Sequence, residues 1–223
     1  MKICAPSFIV PATRGENVDF LTGLVDEVQL LFLDSKQNYD IPKREETEEL
    51  RSKDMKYSFH LPTDIDLLTK DGWAKLKDFY IPLSSLNPQR CILHPENSHK
   101  FLESALKFKE ETGANLVIEN TDFYGKFFDD VIEAGLSICF DNAHAYKNGH
   151  CEIEFMEKYA PYISEFHLQG REDGKEHKSL LFLDKTVLEY LINCAKLNNS
   201  VINLEVFNHE DFLTSYKIFK RYL

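Results

Sequence analysis

The chain has 223 residues, 43% of them hydrophobic and 13% aromatic, and a formal net charge of -11. It can bury a sizeable core, but so acidic a surface with no dense Lys/Arg block disfavours nucleic acid and anionic membranes as partners. The widely spaced Cys4, Cys91, Cys139, Cys151 and Cys194 contain no Cys-x-x-Cys pair, which excludes a zinc ribbon or disulfide framework and predicts a reducing, cytoplasmic setting.

In chain order, apolar runs alternate with amphipathic stretches. The opening apolar segment is short and broken by Pro6 and Pro11, so it reads as strand rather than signal peptide, with a first strand over 7–10. A helix is predicted over 16–24, with Val18, Leu21 and Leu24 at helical spacing, then a strand over 27–33. A charged helix over 43–53, whose Glu45, Glu46, Glu48 and Glu49 form a solvated face, precedes a strand over 57–61. A helix over 71–83 and a strand over 91–94 follow, then an amphipathic helix over 98–112 stopped by Gly113. A strand over 115–119 leads to a helix over 124–134, stopped by Gly135, and a strand over 136–141. The remaining expectations are a helix over 152–159, a strand over 163–168, a helix over 183–197, a strand over 201–207 and a closing helix over 211–222. No run approaches the roughly 18 apolar residues of a membrane span.

Eight strands each followed by a helix imply parallel pairing through crossover helices. The predicted fold is a compact α/β (β/α)8 TIM barrel forming one domain over 1–223, with an open doubly wound sheet as the runner-up. In such a barrel the chemistry sits at the C-terminal strand ends. Here those ends read Tyr57-Ser-Phe-His60, Cys91-Ile-Leu-His94, Leu116-Val-Ile-Glu119, Ile138-Cys-Phe-Asp141 followed by His144, Glu165-Phe-His167 and Asn203-Leu-Glu205. Each ends in a residue type that binds divalent metals. One strand-end histidine is ordinarily just a satisfied polar residue; six successive strands with the same feature point to one shared site. Carboxylates gathered in one pocket also repel unless a cation neutralises them. His99, His150 and His209 read as helix-start or loop residues, and Asn120, Asn142 and Gln169 as either supporting donors or ordinary loop polar groups.

The set His60, His94, Glu119, Asp141-x-x-His144, His167, His177 and Glu205 resembles the xylose isomerase-like barrel superfamily, and within it the branch containing AP endonuclease family 2 (endonuclease IV). The resemblance implies zinc, or manganese or iron, at the barrel mouth. His60 and His94 would bind one ion, Asp141, His167 and Glu205 a second, with Glu119 bridging, and His144 and His177 would hold a third. The branch has an aspartate two residues before the histidine that matches His177; here Lys175 stands there, so two metals are expected and the third lacks a ligand. Phe8-Ile-Val-Pro11, Asn17-Val-Asp-Phe-Leu21 and Val25-Asp-Glu-Val-Gln-Leu-Leu-Phe32 look like the cobamide-remodelling phosphodiesterases of this superfamily, which open the nucleotide loop of corrinoids.

Paired metals suit phosphodiester hydrolysis. The expected function is therefore metal-dependent hydrolysis of a small-molecule phosphodiester, with a cobamide (corrinoid) as the candidate substrate, Glu119 and Glu205 as catalytic residues and Arg171 and Lys175 as candidates for neutralising phosphate charge. The rival is a sugar or sugar-phosphate isomerase or epimerase, which resembles the same barrel but uses one metal on the equivalents of Glu119, Asp141, His167 and Glu205, the two glutamates shuttling a proton. The additional His60, His94, His144 and His177 argue against it. An AP endonuclease acting on DNA is disfavoured by the acidic balance. A non-enzymatic corrinoid- or metal-binding protein is the third reading.

Overall fold

The computed structural model describes residues 1–36, 41, 43–96, 98–122 and 125–223. Eight parallel strands close into a barrel: β1 (Lys2–Pro6), β2 (Glu27–Leu31), β3 (Lys56–His60), β4 (Cys91–Leu93), β5 (Leu116–Glu119), β6 (Ser137–Asp141), β7 (Ile163–Leu168) and β10 (Val201–Leu204). Their spatial order is β1-β10-β7-β6-β5-β4-β3-β2, so β10 closes the barrel against β1. The crossovers carry helices α1 (Arg14–Leu21), α2 (Arg44–Ser52), α3 (Lys70–Leu83), α4 (His99–Thr112), α5 (Lys126–Glu133), α7 (Glu152–Tyr159) and α8 (Lys185–Asn198), and α9 (His209–Phe219) follows β10.

β4, β5 and β6 read as near-continuous apolar runs because both faces are covered. All of β5, Leu-Val-Ile-Glu, is buried. Helix α4 presents Phe101, Leu102, Ala105 and Phe108 to the sheet, starts on the Ser98 side chain and ends at Gly113, whose φ of 71° is the left-handed value that favours glycine. The main core lies between sheet and helices, where Phe32, Phe59, Phe101, Phe128, Phe140, Phe166, Phe212 and Phe219 are fully buried. Each contributes about 1.5–3 kcal/mol by burial alone. Phe32 and Phe59 meet edge-to-face with centroids 5.6 Å apart, the arrangement that ring quadrupoles prefer.

Alternation along the strands gives the barrel interior a different character. Residues two before an inward-facing strand-end group also face inward. On one side these are Ile92, Val117 and Cys139, a small apolar cluster of their own. On the other side Glu27, Gln29, Ser58, Glu165 and Asn203 are all buried, with Arg90 reaching in just before β4. Half of this barrel interior is polar, below the level of the strand-end residues.

Three differences from the sequence expectation have physical causes. The first strand is Lys2–Pro6, not 7–10. The Asn17 Oδ1 accepts hydrogen bonds from the Ile9 and Val10 N–H groups (2.8 and 3.0 Å), which removes both donors from any ladder. A short helix, α6 (Asn142–Lys147), starts directly on Asp141. An antiparallel hairpin, β8 (Gly170–Glu172) and β9 (Lys175–Lys178), is inserted after β7; Asp173 and Gly174, with φ of 52° and 74°, form its turn. The expected helix start at Tyr124 lies outside the described residues. No described helix is long and apolar enough to cross a membrane.

Candidate metal centre

The strand-end residues converge. His60 is the last residue of β3, Glu119 of β5 and Asp141 of β6; His167 lies in β7, and His94 and Glu205 directly follow β4 and β10. Register sets Asp141 beside His167. Glu119 is central: its Oε2 lies 2.8 Å from His94 Nε2 and 3.3 Å from His60 Nε2, and its Oε1 lies 2.9 Å from His167 Nδ1. His167 Nδ1 is 3.4 Å from Glu205 Oε1. Two groups of potential ligand atoms therefore share Glu119: His60, His94 and Glu119, and Glu119, Asp141, His167 and Glu205. A third grouping sets Cys139 with Glu119 and His167. All but His94 are buried, and His94 is half-buried.

Of the two readings open for Asn120, Asn142 and Gln169, the hydrogen bonds favour supporting groups. Asn120 accepts from the Asp141 N–H (2.5 Å) and donates to the Asp141 carbonyl (2.9 Å). Asn142 does the same for Gln169, accepting at 2.9 Å and donating at 2.9 Å. Each carboxamide extends the ladder by one side-chain rung just where the strands splay. Gln169 Nε2 donates to both Asp141 Oδ2 (2.8 Å) and Glu205 Oε2 (3.0 Å), tying two of the carboxylates together. The other Asp141 oxygen caps α6 through the Ala143 and His144 N–H groups.

The electrostatics are those of a site short of positive charge. Burial pushes Glu119 up, but His167 and His94 outweigh it and hold the carboxyl well below its ordinary value. Burial likewise opposes Glu205, and His167 brings it down to about 2. Asp141 goes the other way, pushed up to about 7 by burial and by Glu205. His167 is raised: burial disfavours its charged form, and Cys139, Glu205 and Glu119 outweigh that. His144 is raised by Asp141 and Glu119 against its burial. Protons thus do the neutralising that a cation would otherwise do.

One atom tests whether a metal fits. Glu119 Oε2 is buried and has no hydrogen-bond partner, although two imidazole nitrogens lie within 3.3 Å. A buried carboxylate oxygen without a donor is costly. One carboxylate oxygen and two imidazole nitrogens this close together are the donor types and the spacing that one divalent cation takes. The residues present fit such an ion.

The other sequence candidates lie at the rim. His144 sits in α6 with its ring centroid 6.0 Å from that of His94. His177, at φ 58° in β9, donates its N–H to Gln169 Oε1 (2.5 Å), stacks on Phe207 at 4.0 Å and places Nδ1 3.8 Å from Glu205 Oε2. Among the described residues neither belongs to a group of three convergent ligand atoms. Lys175, where the resemblance would want an aspartate, is exposed at the start of β9. The Arg171 guanidinium lies 3.1 Å from the centre of the Tyr146 ring. Sequence reasoning missed Gln29, Arg90 and Glu165 beneath the site; the alternation Glu27-Val-Gln-Leu and Glu165-Phe-His167 was the available signal.

No family model matches the chain, and no curated protein does. Solved structures match along its whole length. A D-tagatose 3-epimerase-like protein is 16% identical with a TM-score of 0.74, covering 100% of this chain and 97% of that one. An AP endonuclease, family 2, from Brucella melitensis is 13% identical with a TM-score of 0.73, covering 98% of each chain. The IolI protein with a binding zinc atom is 14% identical with a TM-score of 0.71, covering 100% and 98%. The chain shares the closed (β/α)8 barrel fold of these proteins. Epimerases, a probable dehydratase and an endonuclease share it, so the reaction must be argued from the site.

Proposed function

We propose that this chain is a divalent-metal-dependent hydrolase of small phosphodiesters, with two ions held at the barrel mouth. The observation that carries the reading is the use of both Glu119 oxygens: Oε2 toward His60 and His94, Oε1 toward His167. His60, His94 and Glu119 would hold one ion, and Glu119, Asp141, His167 and Glu205 the other. Bound ions would supply Lewis-acid stabilisation of the charge on a phosphoryl group. Glu119 and Glu205 are essential by this reading. Arg171 and Lys175, on the β8–β9 hairpin, bring positive charge to the rim for an anionic substrate. His144 keeps its proton to higher pH than a free imidazole and offers it at the edge of the site. The net charge of -11 favours a small substrate over a nucleic acid. The corrinoid nucleotide loop is the first substrate to assay, on the strength of the N-terminal resemblance alone; none of the comparisons supports it.

The single-metal isomerase reading is supported by the complete set Glu119, Asp141, His167 and Glu205 and by epimerases among the structural neighbours. Elemental analysis after zinc or manganese reconstitution separates the two, combined with assays of bis(p-nitrophenyl) phosphate hydrolysis and of solvent-deuterium exchange into ketoses. About two equivalents and diester hydrolysis support the proposal. One equivalent with exchange, and no hydrolysis, overturns it.

A further inference from the structure

We propose that a cavity at the C-terminal ends of β1 and β2 is a second subsite, which takes the non-reacting ester arm of the substrate, and that this arm is a large apolar ring group without negative charge. The inference deepens the phosphodiesterase reading above and rests on it for the reacting end of the substrate. The cavity has a volume of about 850 Å³, within the roughly 300–1,000 Å³ of small-molecule sites. It adjoins the candidate metal centre. Leu31, which lines it, is the register partner of His60 on β3. Phe8, which also lines it, meets Phe207 edge-to-face with centroids 5.8 Å apart. Phe207 in turn stacks on His177 at 4.0 Å, and His177 Nδ1 lies 3.8 Å from Glu205 Oε2. A line of ring contacts thus runs from Glu205 to the cavity wall. In diester hydrolysis the water oxygen forms a new bond to phosphorus, and the leaving arm departs with a proton. The other arm stays on the monoester product, and this cavity is the place beside the centre to hold it.

The chemistry of the guest follows from the lining. Phe8 is 53% exposed and Leu33 38%, and Pro11 and Ala12 line the same hollow. Apolar side chains left open together in one concave place mark a ligand groove. The wall is built in advance of any ligand. Asn17 pins the segment after Phe8: its Oδ1 accepts from the Ile9 and Val10 N–H groups, and its Nδ2 donates to the Val10 carbonyl at 3.2 Å. Arg14 is buried, donates from Nε to the Leu31 carbonyl at 2.9 Å, pairs with Glu46 at 2.9 Å and lies 4.4 Å from the centre of the Phe32 ring. A wall already ordered spares the guest that cost on binding. The charged lining is Glu16, Asp34, Glu45, Glu46 and Glu49 against Arg14 and Lys43. That excess of carboxylates repels an anion. The phosphoryl end is thereby turned toward the metal centre, and the cavity is left to a neutral or cationic ring.

Two fluorescent probes that differ by one charge test the cavity on metal-free protein: neutral N-phenyl-1-naphthylamine and its anionic 8-sulfonate. Both brighten on entering an apolar site. The neutral probe should bind once per chain, and the sulfonate at least about 10-fold more weakly. Ala12→Trp fills the cavity from an exposed position and should abolish binding of the neutral probe; Phe8→Ala should weaken it about 10-fold. Circular dichroism checks that both variants fold. The role in turnover is read on zinc-loaded protein, with p-nitrophenyl diesters that share a leaving group and differ in the second arm, methyl against 2-naphthyl. Wild type should prefer the naphthyl ester by about 10–100-fold in kcat/KM, the gain from burying a ring, and Ala12→Trp should bring that ratio close to one. Equal binding of the two probes, or undiminished binding of the neutral probe in Ala12→Trp, overturns the cavity as a site for uncharged rings. A ratio close to one in wild type overturns the subsite and leaves the hydrolase standing. Probe binding as expected, with neither diester hydrolysed, overturns the phosphodiesterase reading and leaves the cavity standing as a ring-binding site.

Discussion

Replacing Glu119 by glutamine removes one charge and almost no volume. Both carboxylate oxygens are in use, one 2.8 Å from His94 Nε2 and the other 2.9 Å from His167 Nδ1. An amide has one oxygen to offer, so whichever way it turns, one ligand group receives an NH2 in place of an acceptor. Two unit charges about 4 Å apart at an effective dielectric near 20 interact by about 4 kcal/mol. A carboxylate bound directly to a dication exceeds that, and competing water and protons take part of it back. A loss of at least about 2.8 kcal/mol, roughly 100-fold in Kd, is the expected floor at the affected position. Metal content should fall from about two equivalents to one or fewer, and diester hydrolysis should vanish. The metal-free fold should survive: loss of a charged hydrogen bond to His167 costs about 1.5–3 kcal/mol, or a melting temperature lower by roughly 3–12 °C at this size. Elemental analysis, chelator competition and a thermal melt read all three. Unchanged stoichiometry, with Kd within threefold of wild type, would refute the shared-ligand reasoning.

Other outcomes follow from the same geometry. Arg90→Ala strands Glu27 and Glu165 in the barrel interior without their guanidinium; breaking such a buried pair costs about 3–5 kcal/mol, so the metal-free melting temperature should drop by roughly 6–20 °C, and a drop under 3 °C would show that water already relieves these carboxylates. Gly170→Ala places a Cβ 1.9 Å from the Ser179 carbonyl oxygen; the β8–β9 hairpin must shift, carrying His177 and its contact with Gln169, at a cost of about 1–3 kcal/mol, and wild-type stability with wild-type turnover would contradict this packing. Metal uptake should depend on pH. Asp141 is raised to about 7 against an unfolded value near 3.9, and His167 is also raised, so the stability that these groups contribute to the metal-free chain is present at low pH and is lost as pH rises through their folded values. A cation competes with the same protons, so zinc affinity should rise from pH 6 to 8 with proton release; calorimetry in buffers of different ionisation enthalpy measures the release, and a flat affinity would remove both residues from the ligand set.

Much of the barrel was legible in the chain. Strands 163–168 and helix 152–159 fall on the expected residues, because Pro161 and the polar boundaries punctuate them clearly. Gly113 and Gly135 stop where left-handed backbone is needed, at φ 71° and 70°. The first strand was displaced because Asn17, a residue with no local signature, captures the Ile9 and Val10 N–H groups from eight and seven residues away. The hairpin was overlooked although Asp173-Gly174 announces its turn. Its strands are polar, so hydrophobic periodicity gives no sign of them.

For this protein the one-dimensional pattern determined the fold and the identity of the convergent groups. Burial on both sheet faces favours apolar runs, and in a parallel barrel the inward-facing polar residues that end such runs open into the same mouth. What only the tertiary structure decided is how those groups divide the work. Glu119 faces two groups of potential ligand atoms because β3 and β4 flank it on one side and β6 and β7 on the other, a relation set by closure and stagger rather than by spacing in the chain. His144 and His177 stand apart at the rim for the same reason, being carried by a short helix and a hairpin rather than by strand ends. The buried Arg90–Glu165 pair joins residues 75 positions apart and exists only once the sheet has closed.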